Sequence, residues 1–296
     1  MASTAPPVFR FAPSPNGALH LGHAYSAIVN QQICDMLGGK YLIRLEDIDR
    51  ARCTPELESQ MLDDLQWLGI QWDGKPRRQS EHFTDYQEAL DKLRSRGLIY
   101  PAFMTRGDIR RAVAEKTDAG LDWPHDPDGS PHYPGDEKQW SKSQQDELLA
   151  TGQKHAWRLN MQAALSQVGK DLFWQEFDAG NPENLKSVTA HAQWWGDVVL
   201  ARSDTPTSYH LAVTVDDALQ NVTHVVRGRD LYEATSVHRL LQELLDLPAP
   251  IYHHHDLVID EDGRKLSKSN QDVSLRSIKE RGIAPQDVPA LFKFAS

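Results

Sequence analysis

The chain has 296 residues, of which 40 % are apolar and 25 % charged, enough for one large domain or two modest ones around an ordinary core. No run of about 18 apolar residues occurs, so no membrane span is read, and MASTAPPVFRFAPSP lacks the basic and then apolar segments of a secretory signal. The two cysteines, Cys34 and Cys53, cannot build a disulfide framework or, alone, a four-thiolate zinc site, and a reducing cytoplasm is the expected home. With 32 Lys+Arg against 42 Asp+Glu the net charge is −10, whereas a protein that holds nucleic acid mainly by neutralising phosphates is usually basic; a cytosolic enzyme of small molecules is the plain reading, and a nucleic-acid partner stays open beside it.

In chain order, Val8-Phe9-Arg10-Phe11-Ala12 reads as a short strand, and the two prolines and glycine of Pro13-Ser14-Pro15-Asn16-Gly17 forbid helix after it. The four-residue spacing of Tyr25, Val29, Ile33 and Leu37 predicts a helix over 21–37, stopped by Gly38-Gly39. Tyr41-Leu42-Ile43-Arg44-Leu45 reads as a buried strand, which completes a βαβ unit. Thr54 as N-cap and Pro55 at the first position start a second helix carrying Leu57, Met61, Leu65 and Leu68. A third is predicted over 84–96, ended by Gly97.

The composition then changes. Residues 118–137 hold four prolines, three glycines and six acidic residues in twenty positions, and long irregular segments in compact domains are usually inserted or functional. The expected organisation is a doubly wound α/β parallel sheet in two halves, 1–98 and 191–275, separated by an inserted α+β subdomain at 99–190 and followed by a short helical tail at 276–296. In the second half, 209–215 and 222–227 read as strands, Asp230 and Glu233 as a capping box for a helix with Val237, Leu241 and Leu244, and 256–259 as a strand leading to a basic loop. No internal repeat is evident.

Two clusters carry potential chemistry. The first, Pro13 to His23, joins the first strand to the first helix, where free N–H groups and the helix dipole favour an anion. His20 and His23 share a face if both lie in the first turn, and Gly22 would let a planar ligand approach the backbone. On spacing alone, surface histidines are the commoner explanation. The second is Lys265-Leu266-Ser267-Lys268-Ser269, whose two ammonium groups could close on a polyphosphate or could be a solvated turn. No GxxxxGK[ST] loop is present.

Taken together, the two clusters resemble the HIGH-like and KMSKS-like signatures of class I aminoacyl-tRNA synthetases. Their neighbours resemble the glutamyl branch: Arg10-Phe11-Ala12-Pro13-Ser14-Pro15-Asn16-Gly17, Arg44-Leu45-Glu46-Asp47-Ile48-Asp49, Leu68-Gly69-Ile70-Gln71-Trp72-Asp73, Leu211-Ala212-Val213-Thr214-Val215-Asp216-Asp217 and Val226-Arg227-Gly228-Arg229-Asp230-Leu231. With only 27 residues after Ser269, the chain is most similar to the truncated glutamyl-Q tRNA(Asp) synthetase family, although His23 is closer to the full-length enzymes. The resemblance implies a Rossmann-like catalytic domain without an anticodon-binding domain. It also implies tRNA-independent activation of glutamate by ATP with Mg²⁺, then transfer to the queuosine base in the anticodon loop of tRNA(Asp), by a cytoplasmic monomer. The alternatives are a truncated enzyme charging a tRNA 3′ end and a catalytically silent tRNA-binding module.

Residue roles follow from the same resemblance. His20, Gly22, His23 and Lys268 would contact ATP, with His20, His23, Lys265 and Lys268 catalytic. Arg10, Ala12, Ser14, Glu46, Tyr209 and Arg227 would bind glutamate, Arg10 at its side-chain carboxylate and Glu46 at its ammonium. By themselves, Tyr209 could be a core tyrosine and Arg227 an ion-pair partner of Asp230. The family's zinc site would fall on Ala102, Met104, Tyr133 and Glu137; without thiolates there, no structural zinc is expected. Of His253-His254-His255, His254 is expected near the nucleotide and the other two at the surface. Positive charge is local: 264–281 holds six basic residues against two acidic ones, beside the catalytic loop. If Lys268 stabilises charge developing at phosphorus, Lys268→Ala should lower glutamate-dependent ATP–pyrophosphate exchange at least about tenfold, with a milder effect on glutamate binding; unchanged exchange would remove it from the mechanism.

Overall fold

The computed structural model describes residues 5–259 and 274–294; Lys265 and Lys268 lie outside the described residues. The first 45 residues form the expected βαβ unit: β1 (Val8–Phe11), α1 (Leu21–Met36) and β2 (Lys40–Leu45), with β1 and β2 parallel and Phe9 opposite Tyr41. Close approach is needed where α1 turns back, because a Cβ on Gly39 would lie 2.9 Å from the Pro7 carbonyl and 3.1 Å from the Phe9 ring. α2 (Pro55–Trp67) starts as predicted, with Thr54 Oγ1 accepting from the Leu57 N–H and proline in the first turn. α3 (Phe83–Ser95) ends before Gly97, whose φ is +68°.

The remaining strands are β3 (Arg77–Arg78), β4 (Ile99–Ala102), β5 (Ala156–Leu159), β6 (Phe173–Asp178), β7 (Asn181–Thr189), β8 (Val199–Arg202), β9 (His224–Gly228) and β10 (Ile251–His255). Seven of the ten strands form one sheet in the order β3-β2-β1-β9-β10-β6-β7, parallel apart from the β6–β7 hairpin. The other three, β4-β5-β8, form a small antiparallel sheet. Sheet pairing therefore crosses the sequence boundary placed at 190. β6 and β7, inside 99–190, extend the main sheet, whereas β8, inside 191–275, belongs to the small one.

Three expectations for the second half change. After the helices α4 (Arg106–Asp118), α5 (Lys142–Ala150) and α6 (Met161–Val168), residues 209–215 are not a strand but the start of α7 (Tyr209–Leu219). The β-branched run Val213-Thr214-Val215 suggested a strand, but every residue from Leu211 to Asp217 is buried because the helix packs between α3, α8 (Thr235–Leu245) and the sheets, so no solvated face marks its period. Asp230 and Glu233 do not form a capping box: Arg229–Leu231 is a separate single turn, and α8 begins after Ala234 with no side-chain cap. The strand expected at 256–259 lies earlier, as β10, with an isolated bridge between Val258 and Phe294 remaining.

Alternation along β1 and β2 divides their side chains between two environments. Phe9, Phe11, Tyr41, Ile43 and Leu45 pack with Ala24 and Ala27 of α1 and Met61 and Leu65 of α2. Arg10 and Arg44 point the other way and meet the carboxylates of α7. Arg10 Nε lies 3.0 Å from Asp217 Oδ1 and Arg44 Nη2 2.8 Å from the same oxygen. Asp216, fully buried, accepts from Arg77 Nε at 2.8 Å, Gln79 Nε2 at 2.8 Å and Tyr86 Oη at 2.9 Å. On the α1 side, buried Asn30 ties β1 to β9 by donating to the carbonyls of Arg10 (2.8 Å) and Val226 (3.2 Å). Removing one member of a buried ionic network strands its partners. Asp216→Ala should therefore destabilise the fold by about 3–5 kcal/mol and Tyr86→Phe by about 1 kcal/mol in chemical denaturation; equal, small effects would contradict the network's role.

Candidate active site

A cleft of about 710 Å³ opens beyond the carboxyl ends of β1, β9 and β10, over the N-terminus of α1. In the main sheet, chain order reverses between β1 and β9, and this is where open α/β sheets bind ligands. Arg10, Ala12 and Ser14 line it from the end of β1 and the following loop, Glu46 from the end of β2, Tyr209 from the first turn of α7 and Arg227 from β9. His20, Gly22 and His23 line its other side. The structure thus brings together, apart from His254, every described residue that the resemblance assigned to amino-acid or nucleotide binding.

His20 is not in the first turn but is the N-cap of α1, in extended conformation. Its Nδ1 accepts from the Gly22 N–H at 3.1 Å, and His23 Nδ1 accepts from the His20 N–H at 3.2 Å. In the neutral rings the proton then lies on Nε2, so each can act as a donor there. The ring centroids are 3.9 Å apart. Gly22 makes room for His20 itself, since a Cβ there would come within 2.9 Å of its Cε1. Beyond the residues not described, the chain returns at Ser274, which bridges to His20, and the Leu275 N–H donates to the Leu19 carbonyl at 2.8 Å.

The two candidate glutamate-binding arginines differ. Arg10 is already paired with Asp217. Arg227, 5 % exposed, is not an ion-pair partner of Asp230. Its Nε donates to His254 Nε2 (3.1 Å), Nη1 to Tyr209 Oη (3.4 Å) and His238 Nδ1 (3.3 Å), and Nη2 to Thr235 Oγ1 (2.7 Å) and the Leu231 carbonyl (3.2 Å). Burial, with repulsion from Arg227, pushes His254 down to about 4 and His238 well below the usual histidine range, so both are neutral near pH 7. His238 in turn lies 3.2 Å from His210 Nδ1; burial and then Arg227 bring His210 to about 4. Among the described residues, Arg227 is a buried cation surrounded by neutral acceptors, without a carboxylate.

The histidine run also departs from expectation. His255, not His254, lines the cleft; it is only 6 % exposed and its Nδ1 lies 2.8 Å from the Asp256 carbonyl. His254 sits behind Arg227, and half-buried His253 contacts the Phe177 carbonyl at 3.0 Å. Period-two alternation in β10 was legible, but not which face met the cleft. Asp217 and His238 were missed as site-shaping groups. The adjacent aspartates in an otherwise apolar run were the signal for the first.

At the zinc-site positions, Ala102 is buried at the end of β4, and Glu137 accepts from the Phe103 N–H at 3.1 Å and from the Tyr133 hydroxyl. The Met104 N–H donates to Tyr133 Oη at 3.3 Å. A hydrogen-bonded carboxylate and phenol join the strand to the loop here. Neither Ala102 nor Met104 supplies a thiolate, so the residues present do not fit a structural zinc.

Glu46 stands between opposing influences. Burial pushes its carboxyl up, Arg44 and Arg10 pull it down, and Asp217 and Asp216 raise it again, to about 7. Below that pH it is neutral and above it anionic. A ligand whose ammonium group meets Glu46 should therefore bind more tightly as pH rises from about 6 to 8, by about tenfold, one pKa unit corresponding to a factor of ten. Calorimetry should show this rise and its loss in Glu46→Gln; a flat wild-type profile would remove Glu46 from that contact.

Residues 8–293 match the family of class I tRNA synthetases (E and Q), catalytic domain. The chain belongs to that family and is a ligase of its class. Within it, a Glutamyl-Q tRNA(Asp) synthetase of Rhodobacter capsulatus is 42 % identical over 290 residues, covering 96 % of this chain and 99 % of that protein. A second, from Nocardia farcinica, is 36 % identical, with 95 % and 82 % covered. A Glutamate–tRNA ligase of Hydrogenobaculum sp. is 34 % identical over 96 % of the chain, which spans 56 % of that longer protein. The crystal structure of the glutamate-tRNA synthetase from Elizabethkingia anophelis aligns with a TM-score of 0.71 at 26 % identity, over 94 % of this chain and 54 % of that one.

Proposed function

We propose that the protein activates glutamate with ATP, without tRNA present, and transfers it to the queuosine base in the anticodon loop of tRNA(Asp). The observation that carries the amino-acid assignment is Arg227: a buried guanidinium that opens on the cleft with only neutral protein partners calls for an anionic ligand. A glutamate side chain meets that need, with Arg10 beside it, Glu46 opposite the ammonium group, and Tyr209, Ala12 and Ser14 around them. The acceptor assignment is supported by the near end-to-end match to a relative bearing the Glutamyl-Q tRNA(Asp) synthetase name.

The chemistry needs no covalent enzyme nucleophile. The α-carboxylate of glutamate attacks the α-phosphorus of ATP, a P–O bond forms, and pyrophosphate leaves with the electron pair of the bond that breaks. The enzyme contributes positioning and stabilisation of negative charge. His20 and His23, each carrying its proton on Nε2, would donate to the nucleotide from the start of α1, while Lys265 and Lys268 would bring positive charge to the phosphates. Mg²⁺ would accompany ATP. Glu46 and Asp230 are the carboxylates lining the cleft among the described residues, so the ion would be held mainly by phosphate oxygens and water.

Charging of a tRNA 3′ end is the second reading, favoured by the 34 % identity to a Glutamate–tRNA ligase. Radiolabelled glutamate offered with ATP to tRNA pools with and without queuosine separates the two. The expected result is glutamate-dependent ATP–pyrophosphate exchange without tRNA, and label only on queuosine-containing tRNA. Label on tRNA lacking queuosine would overturn the proposed acceptor, and absence of exchange would overturn the activation step.

A further inference from the structure

The Arg227 side chain lines the cleft, but its aim is set from behind. On its Nε side the partner is His254 Nε2 at 3.1 Å, which must offer a lone pair because arginine nitrogens only donate. A neutral imidazole with an acceptor at Nε2 carries its proton on Nδ1. That proton points at Glu176: both carboxylate oxygens lie 3.0 Å from His254 Nδ1, and Oε1 also accepts from the His254 backbone N–H at 2.8 Å. Oε2 further accepts from Trp174 Nε1 at 3.2 Å. Glu176 reaches this place because β6 pairs with β10, Glu176 opposite Tyr252, so a residue from between the two halves of the catalytic sheet backs the site.

We propose that Glu176 is a positioning residue for glutamate recognition: by keeping the His254 proton on Nδ1 it leaves Nε2 as the acceptor that fixes the Arg227 guanidinium towards the cleft. The proposal rests on reading the cleft as a glutamate site. The other tautomer would set an Nε2–H against the Arg227 Nε–H, two donors face to face, and the guanidinium would have to turn. Carboxylate–histidine pairs commonly fix a ring this way where its second nitrogen has work to do. Glu176 is suited to the task as an anion. Burial pushes its carboxyl up, but the hydrogen bonds it accepts from His254 and Trp174 outweigh this and hold it below the ordinary range.

Glu176→Gln tests the idea with almost no change of shape. The two carboxylate oxygens together accept from the His254 Nδ1–H, the His254 backbone N–H and the Trp174 N–H, whereas an amide keeps one oxygen and sets its NH₂ in the place of the other, which is 3.0 Å from Nδ1 in either orientation. Where that NH₂ donates to Nδ1 it drives the proton to Nε2. Nitrogen-15 NMR of histidine-labelled protein without substrate should place the wild-type His254 proton on Nδ1 and a substantial Nε2–H fraction in Glu176→Gln. In ATP–pyrophosphate exchange, the variant should show a KM for glutamate raised at least tenfold and a KM for ATP within twofold of wild type. A wild-type His254 proton on Nε2 would overturn the proposal. So would a folded variant with KM for glutamate within twofold, or equal losses for both substrates with the tautomer unchanged, which is what a merely structural residue would give. The NMR arm needs no turnover, so absence of exchange in the wild type would count against the function while leaving the role of Glu176 at His254 to be decided separately.

Discussion

The site depends on a charge-compensated layer between the main sheet and α7. Arg10 and Arg44 leave the sheet on the face opposite the aromatic and aliphatic core, and Asp216 and Asp217 meet them from a helix buried on every side. Buried charges are tolerated only when paired and hydrogen-bonded. Here one such arrangement fixes β1, β2, α3 and α7 together, and with them Arg10, Glu46 and Tyr209. The same layer sets the electrostatics of the cleft: Asp217 neutralises Arg10 and helps hold the Glu46 carboxyl near 7, while Arg227, without a carboxylate, remains the group in need of a counter-charge.

The two arginines therefore divide the work of recognising one carboxylate. Arg10 shares its charge with Asp217, so a ligand there adds to an existing pair. Arg227 is ringed by side chains that are neutral because they are buried, so its charge is available in full. Buried histidines suit that ring. They accept hydrogen bonds firmly when neutral, and their low pKa values keep a second positive charge away from the guanidinium.

Much of this was legible from the residues. The first βαβ unit and the caps at Thr54 and Gly97 follow from local rules of turn chemistry and periodicity, whereas the residues that line the cleft were picked out by family resemblance, since taken singly Tyr209 reads as a core tyrosine and Arg227 as an ion-pair partner. What escaped did so for physical reasons. α7 has no solvated face, so its helical period is invisible and its β-branched run points to a strand. The start of α8 carries no side-chain cap although Asp230 and Glu233 imitate one. The partition of strands between the sheets depends on pairing between residues far apart in sequence, which alternation within a single strand cannot reveal. The face of β10 that His255 presents to the cleft depended on the same pairing.

That long-range pairing also bears on how the molecule is made. β1 lies at the middle of the main sheet, yet on one side its neighbour is β9, with Phe9 opposite His224 and the Val8 N–H donating to Thr223 Oγ1. A chain emerging from the ribosome would present β1 and β2, complete at Leu45, as a finished pair with an open edge until β9 followed at His224. Sheets assembled from such distant partners form slowly. The polar Arg10 and Arg44 on one face of that early pair, which later become the centre of the recognition site, would meanwhile keep the face wet and discourage unrelated strands or apolar surfaces from settling on it.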